Sequence, residues 1–267
     1  MSMQPSQPQS IGGVLDTTFQ LYKASVVPSL PLCVLLAVAT APPSIYMLVH
    51  GGFDTTDPFA MLAAMQSVNY WLTYLVSVIG TLWAMGALYL KIAAIGAGED
   101  LGTAPALQQS IRRVPHLFGT SILFFIALAA GLLLLLVPGL ILMVSLMLCF
   151  NLVMFEEKGP IDALTGSHRL VWGNWWRTAA ILTVGFIIVL VLYVVVGIVI
   201  GAIMPLVGMS AEDLLVTTLV TNLVVSMLAS LLLTPFYLSL VIAVYWDLKL
   251  RKEGGDLASR VGALGTA

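Results

Sequence analysis

Residues 117–155 read LFGTSILFFIALAAGLLLLLVPGLILMVSLMLCFNLVMF, with no charged side chain. A helix rises about 1.5 Å per residue and the hydrocarbon core of a bilayer is about 30 Å thick, so one crossing needs about 20 apolar residues. This stretch is nearly twice that length. Pro138-Gly139 lies near its middle and is a strong turn signal. The stretch therefore predicts a hairpin of two transmembrane helices, residues 117–137 and 140–155.

The composition of the whole chain is that of a membrane protein. Of its 267 residues, 60% are hydrophobic and only 9% are charged, against roughly 25% charged residues in soluble domains. Four more apolar runs of sufficient length follow from the same rule, at about residues 26–49, 68–90, 178–206 and 214–245. The sequence thus predicts an all-α fold, a polytopic transmembrane helical bundle with six spans. Its net charge of -2 excludes nucleic acid as an expected partner, because phosphate binding needs a surplus of Lys and Arg.

All 11 Lys and Arg residues fall on one side of this arrangement. They are Lys23, Lys91, Arg112, Arg113, Lys158, Arg169, Arg177, Lys249, Arg251, Lys252 and Arg260. The loops on the other side carry only acids, namely Asp54, Asp57, Glu212 and Asp213. Because cytoplasmic loops retain positive charge during insertion, the pattern predicts that both termini lie in the cytoplasm.

The chain ends are polar and predict tails outside the membrane. Residues 1–10 are rich in Gln, Ser and Pro and predict a disordered cytoplasmic tail before a six-span domain at residues 11–252. Gly254-Gly255 is expected to end the last helix, so residues 253–267 predict a second cytoplasmic tail.

Three similar segments precede the odd-numbered spans. They read LDTTFQLYK from Leu15, LQQSIRRV from Leu107 and LTGSHRLV from Leu164. Each places apolar residues at helical spacing with hydroxyl, amide or basic residues between them, which is typical of a helix lying in the headgroup layer. An ordinary amphipathic connector explains one such segment, but the threefold placement indicates a repeat. We predict three hairpins, each preceded by a cytoplasmic interfacial amphipathic helix.

The third segment and the start of span five carry the candidate binding residues. Candidate contacts to a lipid headgroup or a protein partner are His168, Arg169, Trp172, Trp175, Trp176 and Arg177. Tryptophan is frequent at membrane interfaces, so anchoring of the helix is the simpler explanation of the three indoles. Further along, Gly197 and Gly201 form a GxxxG motif, which permits close helix packing either within the chain or between two copies.

Catalysis needs grouped acids, bases or nucleophiles, and the sequence does not group them. His50, His116 and His168 lie in separate segments at the predicted membrane edges, and Cys33 and Cys149 lie far apart within apolar runs. No span has an acidic or basic residue near its middle, where an ion-coupled transport path usually needs one. We therefore expect no catalytic, metal or cofactor site, and no enzymatic activity.

Several short motifs resemble a known bacterial family. They are Pro138-Gly139, Glu156-Glu157, the stretches SHRL at 167–170 and GNWWR at 173–177, and YWDLKLRKEGGD at 245–256. Across most of residues 10–257 the pattern resembles six-span membrane proteins described as YciC-like, and it is similar to the membrane domain attached to some glycerophosphodiester phosphodiesterases. The resemblance implies a protein of the bacterial plasma (inner) membrane. In the phosphodiesterases the chemistry belongs to a separate soluble barrel, so the resemblance implies no hydrolase activity.

These observations favour a non-enzymatic membrane protein that acts as a scaffold, an assembly factor or an accessory subunit of a membrane complex. The alternative is a transporter or lipid-handling protein with a path between the repeated hairpins, because transporters are often built from repeats. The expected partners are membrane lipids, and other membrane proteins or a second copy of the chain.

Overall fold

The computed structural model describes residues 2–50, 59–203 and 214–264, and these residues form helices and no strand. The helices are α1 Ile11–Thr40, α2 Pro42–Val49, α3 Ala60–Met65, α4 Val68–Ala97, α5 Thr103–Ile111, α6 Val114–Leu134, α7 Leu136–Leu146, α8 Cys149–Glu156, α9 Pro160–Val171, α10 Trp175–Ile203 and α11 Leu214–Leu264. Six stretches are long and apolar enough to cross a membrane: Ile11–Val49, Val68–Ala97, Val114–Leu134, Leu136–Glu156, Trp175–Ile203 and Val224–Lys252. The predicted all-α polytopic bundle is confirmed.

The α6–α7 hairpin turns at Leu135, three residues before the predicted turn. Leu135 is extended, with φ -174° and ψ 158°, and its N–H still donates to the Gly131 carbonyl at 3.2 Å. Pro138 lies in the first turn of α7, where a helix needs no N–H donor. Gly139 serves the packing of the two helices, because a Cβ on Gly131 would lie only 3.1 Å from the Gly139 Cα.

The first of the three repeated segments differs from the prediction. Residues 15–23 are part of the uninterrupted helix α1, which also contains Pro28 and Pro31. The chain breaks only at Ala41, before the proline pair that begins α2. The second and third segments form the separate helices α5 and α9, as predicted. Only the first repeated segment is therefore merged with its span.

A buried hydroxyl occupies the fourth position of all three segments. Thr18, Ser110 and Ser167 are each fully buried. The Ser110 hydroxyl donates to the Trp83 carbonyl at 3.2 Å and so docks α5 on α4, while the Ser167 hydroxyl donates to the Ser145 carbonyl at 2.8 Å and docks α9 on α7. Thr18 bonds to a carbonyl of its own helix. The first segment is continuous with the span that follows it.

The N-terminal segment, which the composition predicts to be a disordered tail, contacts the helical bundle. The Met3 N–H donates to the Gly96 carbonyl at 2.7 Å, and Ser10 caps α1 by accepting the Gly13 N–H at 3.1 Å. Residues 2–10 thus lie against the end of α4 and lead directly into α1. The predicted tail, which rested on composition alone, did not include these contacts.

The last helix is longer than predicted. Helix α11 continues through Gly254 and Gly255 to Leu264, so the predicted tail is helical backbone over residues 253–264. Some predictions lie outside the described residues: the acidic residues Asp54, Asp57, Glu212 and Asp213, and the end of span five at residues 204–206.

The basic segments of the hairpins gather at one end of the bundle, which we call the basic end. Ion pairs in this region link α6, α8, α10 and α11; they are Arg113 to Glu157, Lys158 and Lys249 to Glu156, and Arg177 and Arg251 to Asp247. The largest hydrophobic cluster packs next to this region and draws on α1, α4, α8 and α11. Over the described residues and away from the basic end, α10 is the least covered span, because none of the residues in its most apolar window is buried.

Candidate functional site at the basic end

A buried carboxylate organises the basic end. The Asp247 side chain is only 2% exposed and lies 3.1 Å from both Arg177 Nη2 and Arg251 Nε. Arg251 follows Asp247 at the i+4 position of α11, which places both side chains on one helix face. Arg177 comes from the first turn of α10. A buried charge is tolerated only when it is paired, and here two guanidinium groups pair it.

The backbone N–H and carbonyl of Gln9 complete this arrangement. Its N–H donates to Asp247 Oδ1 at 2.8 Å, and its carbonyl accepts from the Nη2 atoms of Arg177 and Arg251, each at 2.5 Å. We call these four residues, Gln9, Arg177, Asp247 and Arg251, the Asp247 cluster. The cluster joins the N-terminal segment to α10 and α11. Every oxygen of the carboxylate is engaged, so the arrangement acts as a structural clamp.

A second carboxylate links α8 to α11. Glu156 Oε1 accepts from the Tyr245 hydroxyl at 2.7 Å and from Lys249 Nζ at 3.2 Å, while its Oε2 lies 2.8 Å from Lys158 Nζ. Partners on two elements hold the Glu156 carboxylate in place. Within the described ranges, no group of three His, Cys, Asp or Glu side chains could hold a metal ion.

The structure divides the predicted binding residues into two groups. Arg177 belongs to the Asp247 cluster, and Trp175 Nε1 donates to the Ile141 carbonyl at 3.3 Å, which fastens α10 to α7. The outward-facing members are His168, Arg169, Trp172 and Trp176. Across the described chain, no hydrogen bond or ion pair joins His168 or Arg169 to Arg177. The two groups meet at Trp175 and Trp176, whose ring centroids lie 4.8 Å apart.

The GxxxG motif has no close neighbour among the described residues. A Cβ placed on Gly197 or Gly201 would meet no described atom within 4 Å. Packing of this motif within the chain is therefore not observed over the described part of the protein. The side chains of residues 214–223 lie outside that part.

Sequence reasoning did not identify Asp247 and Gln9 as the partners of Arg177. A signal for Asp247 was present, because it directly follows the uncharged residues 214–246 and precedes Arg251 by one helical turn. Gln9 gave no signal, since its backbone makes the contacts and any non-proline residue supplies the same peptide group.

A cavity of about 480 Å³ lies beside the clamp, between α4, α11 and the N-terminal segment. Its lining combines apolar side chains with a few polar ones; they include Leu90, Leu101, Phe155, Trp246, Glu99 and Lys249. A mixed lining of this kind suits an amphipathic ligand better than a small ion.

Two comparisons with known proteins give matches. A family model described as a domain of unknown function (DUF7847) matches residues 59–248. A UPF0259 membrane protein from Photorhabdus laumondii is 29% identical over 117 residues, which are 40% of this chain and 46% of that protein. The match therefore spans less than half the length of that relative. No solved structure matches the chain.

Proposed function

The chain belongs to the family described as a domain of unknown function (DUF7847), and we propose that it is a non-enzymatic scaffold, assembly factor or accessory subunit of a membrane complex. It is a multi-pass membrane protein with six candidate spans. We place it in the bacterial plasma membrane with both termini in the cytoplasm. The one-sided distribution of Lys and Arg supports the orientation, and the Photorhabdus relative supports a bacterial membrane. The narrower resemblance to YciC-like proteins belongs to the same proposal.

The contrast between the two halves of α10 carries this proposal. At the basic end, Arg177 and Trp175 fix the helix to α11 and α7. Farther along, its apolar side chains are exposed, including Phe186, Val191, Val195 and Ile198. Between transmembrane helices, packing supplies the attraction that the hydrophobic effect cannot. A helix that is fixed at one end and exposes apolar side chains farther along suits a protein that binds another membrane component.

The same geometry favours a holding role over alternating access. Transporters move one repeat against another around a site near the middle of the membrane. Here the Asp247 cluster ties the N-terminal segment, α10 and α11 together at one end. Such a clamp opposes rocking of these elements against one another.

A transporter or lipid-handling role is the second candidate. The 480 Å³ cavity supports it, because apolar walls with Glu99 and Lys249 among them can receive a molecule that has both a polar and an apolar part. The cavity lies at the basic end and not at mid-depth, so it fits lipid handling better than ion-coupled transport.

Co-purification from native membranes in a mild detergent tests the scaffold. We expect a protein partner in fixed ratio to the chain. In the double variant Gly197→Leu/Gly201→Leu we expect that partner to be lost, whereas Val199→Leu, on another face of α10, should retain it. Purification of the chain alone, together with movement of lipid or solute in reconstituted vesicles, would instead support the second candidate.

A further inference from the structure

A cavity of about 620 Å³ lies between α5, the start of α6 and the end of α8. This is within the usual range of ligand sites. Its polar lining comprises Gln108, Gln109, Arg112, Arg113, His116, Lys158 and one carboxylate, Glu157. We call it the α5–α8 cavity. It is separate from the residues predicted as a headgroup site in α9 and α10.

Most of the positive charge in this cavity is already neutralised. Arg113 pairs with Glu157 at 2.5 Å and also donates to the Met154 carbonyl near the end of α8. Lys158 pairs with Glu156 at 2.8 Å. These two cations therefore hold the wall of the cavity together and are not free to bind a second anion strongly.

Arg112 is different. Its side chain is exposed into the cavity region and makes no ion pair or hydrogen bond with any residue that the structure describes. The amides of Gln108 and Gln109, one turn earlier on α5, likewise have no side-chain partner within the described ranges. One guanidinium fork and two amide donors are thus available at one opening. A guanidinium can bind two oxygens of a phosphate at once.

The depth of the site indicates which anions can reach it. Arg112 lies between α5 and α6, the latter of which begins a candidate span at Val114. The neighbouring Ile111 is 52% exposed, as expected for an interfacial helix with its apolar side toward the acyl chains. Phosphate groups of lipids lie at this level of the membrane, and anionic lipids attract basic residues there.

The repeat provides an internal comparison. Arg112 is the sixth residue of the second repeated segment, and Arg169 is the sixth residue of the third. Both are exposed, but Arg169 does not line the α5–α8 cavity. If a positive charge near the membrane were sufficient to bind a phosphate group, Arg112 and Arg169 would bind it equally well. The cavity distinguishes them.

We propose that the α5–α8 cavity binds one phosphoryl group, with Arg112 contacting its oxygens and Gln108 and Gln109 donating further hydrogen bonds. The group can be the headgroup of an anionic phospholipid or a soluble phosphate. This inference is independent of the scaffold role, since it concerns a ligand site that a transporter or a scaffold could equally carry.

Native mass spectrometry of the full chain, released from nanodiscs of equal parts phosphatidylglycerol and phosphatidylcholine, tests the lipid source. We expect one phosphatidylglycerol to stay bound to the wild type and to Arg169→Gln, and its retention to fall at least fivefold in Arg112→Gln. The exposed position of Arg112 makes loss of folding an unexpected outcome, and elution as a single species in size exclusion checks it. Arg112→Lys should restore only part of the retention, because lysine lacks the fork.

A second measurement distinguishes the soluble source. Inorganic phosphate is titrated against the detergent-purified chain, with thermal stability as the readout. Stabilisation by phosphate that disappears in Arg112→Gln, without retained lipid, would support the cavity and assign it to a soluble phosphate. Equal loss of lipid in Arg112→Gln and Arg169→Gln, or no preference for phosphatidylglycerol in the wild type and no stabilisation by phosphate, would overturn the proposal.

Discussion

Arg177 Nη2 lies 3.1 Å from Asp247 Oδ2 and joins the first turn of α10 to α11. The Asp247 side chain is almost completely buried, so its charge is stable only because Arg177, Arg251 and the Gln9 N–H surround it. The pair therefore determines where the N-terminal segment and two transmembrane helices meet.

We expect Asp247→Asn to destabilise the folded protein by about 3 kcal/mol, because removal of one partner leaves two guanidinium groups close together without their counter-charge. The measurement is the midpoint of unfolding by SDS in mixed micelles. Asp162→Asn is the matched control, since Asp162 is an exposed residue in the first turn of α9 and its loss should cost less than about 1 kcal/mol. Equal effects of the two substitutions would show that burial of Asp247 has no special cost.

The N-terminal segment should contribute through its backbone. Gln9→Pro removes the N–H that bonds to Asp247, and we expect a loss of about 2 kcal/mol, as for a hydrogen bond to a charged group. Gln9→Ala keeps that N–H and removes only the two side-chain bonds with Thr17, so it should cost about 1 kcal/mol. The same unfolding midpoint measures both variants. If Gln9→Ala were as harmful as Gln9→Pro, the backbone contact would not be what holds the segment.

Replacement of Ser167, which docks α9, should destabilise the protein more than replacement of Ser110, which docks α5. Ser167→Ala leaves the buried Leu148 N–H, which bonds to the serine oxygen at 3.1 Å, without a partner, and we expect a cost of about 2 kcal/mol. Ser110 only donates, to carbonyl groups, so Ser110→Ala should cost about 1 kcal/mol. Hydrogen exchange in α9 and α5, together with the unfolding midpoint, measures the two effects. A larger cost for Ser110→Ala would contradict this assignment.

Close packing of the α6–α7 hairpin should not tolerate a methyl group. The Cβ of Gly131→Ala would meet the Gly139 Cα at 3.1 Å and its N atom at 3.2 Å, and these backbone atoms cannot rotate away. We expect a cost of about 2 kcal/mol, seen in the unfolding midpoint. Gly12→Ala is the control, because the nearest atom to its Cβ would be Ser10 Oγ at 3.9 Å, and it should be neutral or stabilising by up to about 1 kcal/mol. Equal midpoints for the two variants would exclude the predicted steric conflict.

The six candidate spans could be predicted from the sequence because membrane thickness fixes the length of an apolar helix. The turn of the α6–α7 hairpin lies at Leu135 and not at Pro138-Gly139, because this dipeptide is compatible with a helix as well as with a turn. Pro138 is accepted in the first turn of α7, and Gly139 permits contact with α6, so neither residue needs to form the turn itself. The dipeptide that predicts a turn from the local sequence therefore contributes to the packing of α7 against α6.

The candidate site could be predicted only in part, because tertiary proximity decides it. Arg177 and Trp175 were identified from their place near a membrane interface, but their inward contacts depend on α7 and α11. Residues 1–10 have the composition of a disordered segment, yet the buried Asp247 attracts the peptide group of Gln9. Arg112 was recognised as a topological signal only, because the cavity beside it requires the fold of α5 against α8.

The proposed orientation places the basic end, with the Asp247 cluster and the α5–α8 cavity, on the cytoplasmic side of the membrane. Single cysteines at Gln4 and Arg169, at that end, and at Gln66, before α4, can be labelled in spheroplasts with a membrane-impermeant maleimide; the native Cys33 and Cys149 are buried and give the background. All three positions are exposed. We expect Gln66→Cys to react in intact spheroplasts, and Gln4→Cys and Arg169→Cys to react only after the membrane is opened. Labelling of Gln4→Cys or Arg169→Cys in intact spheroplasts would contradict the proposed orientation.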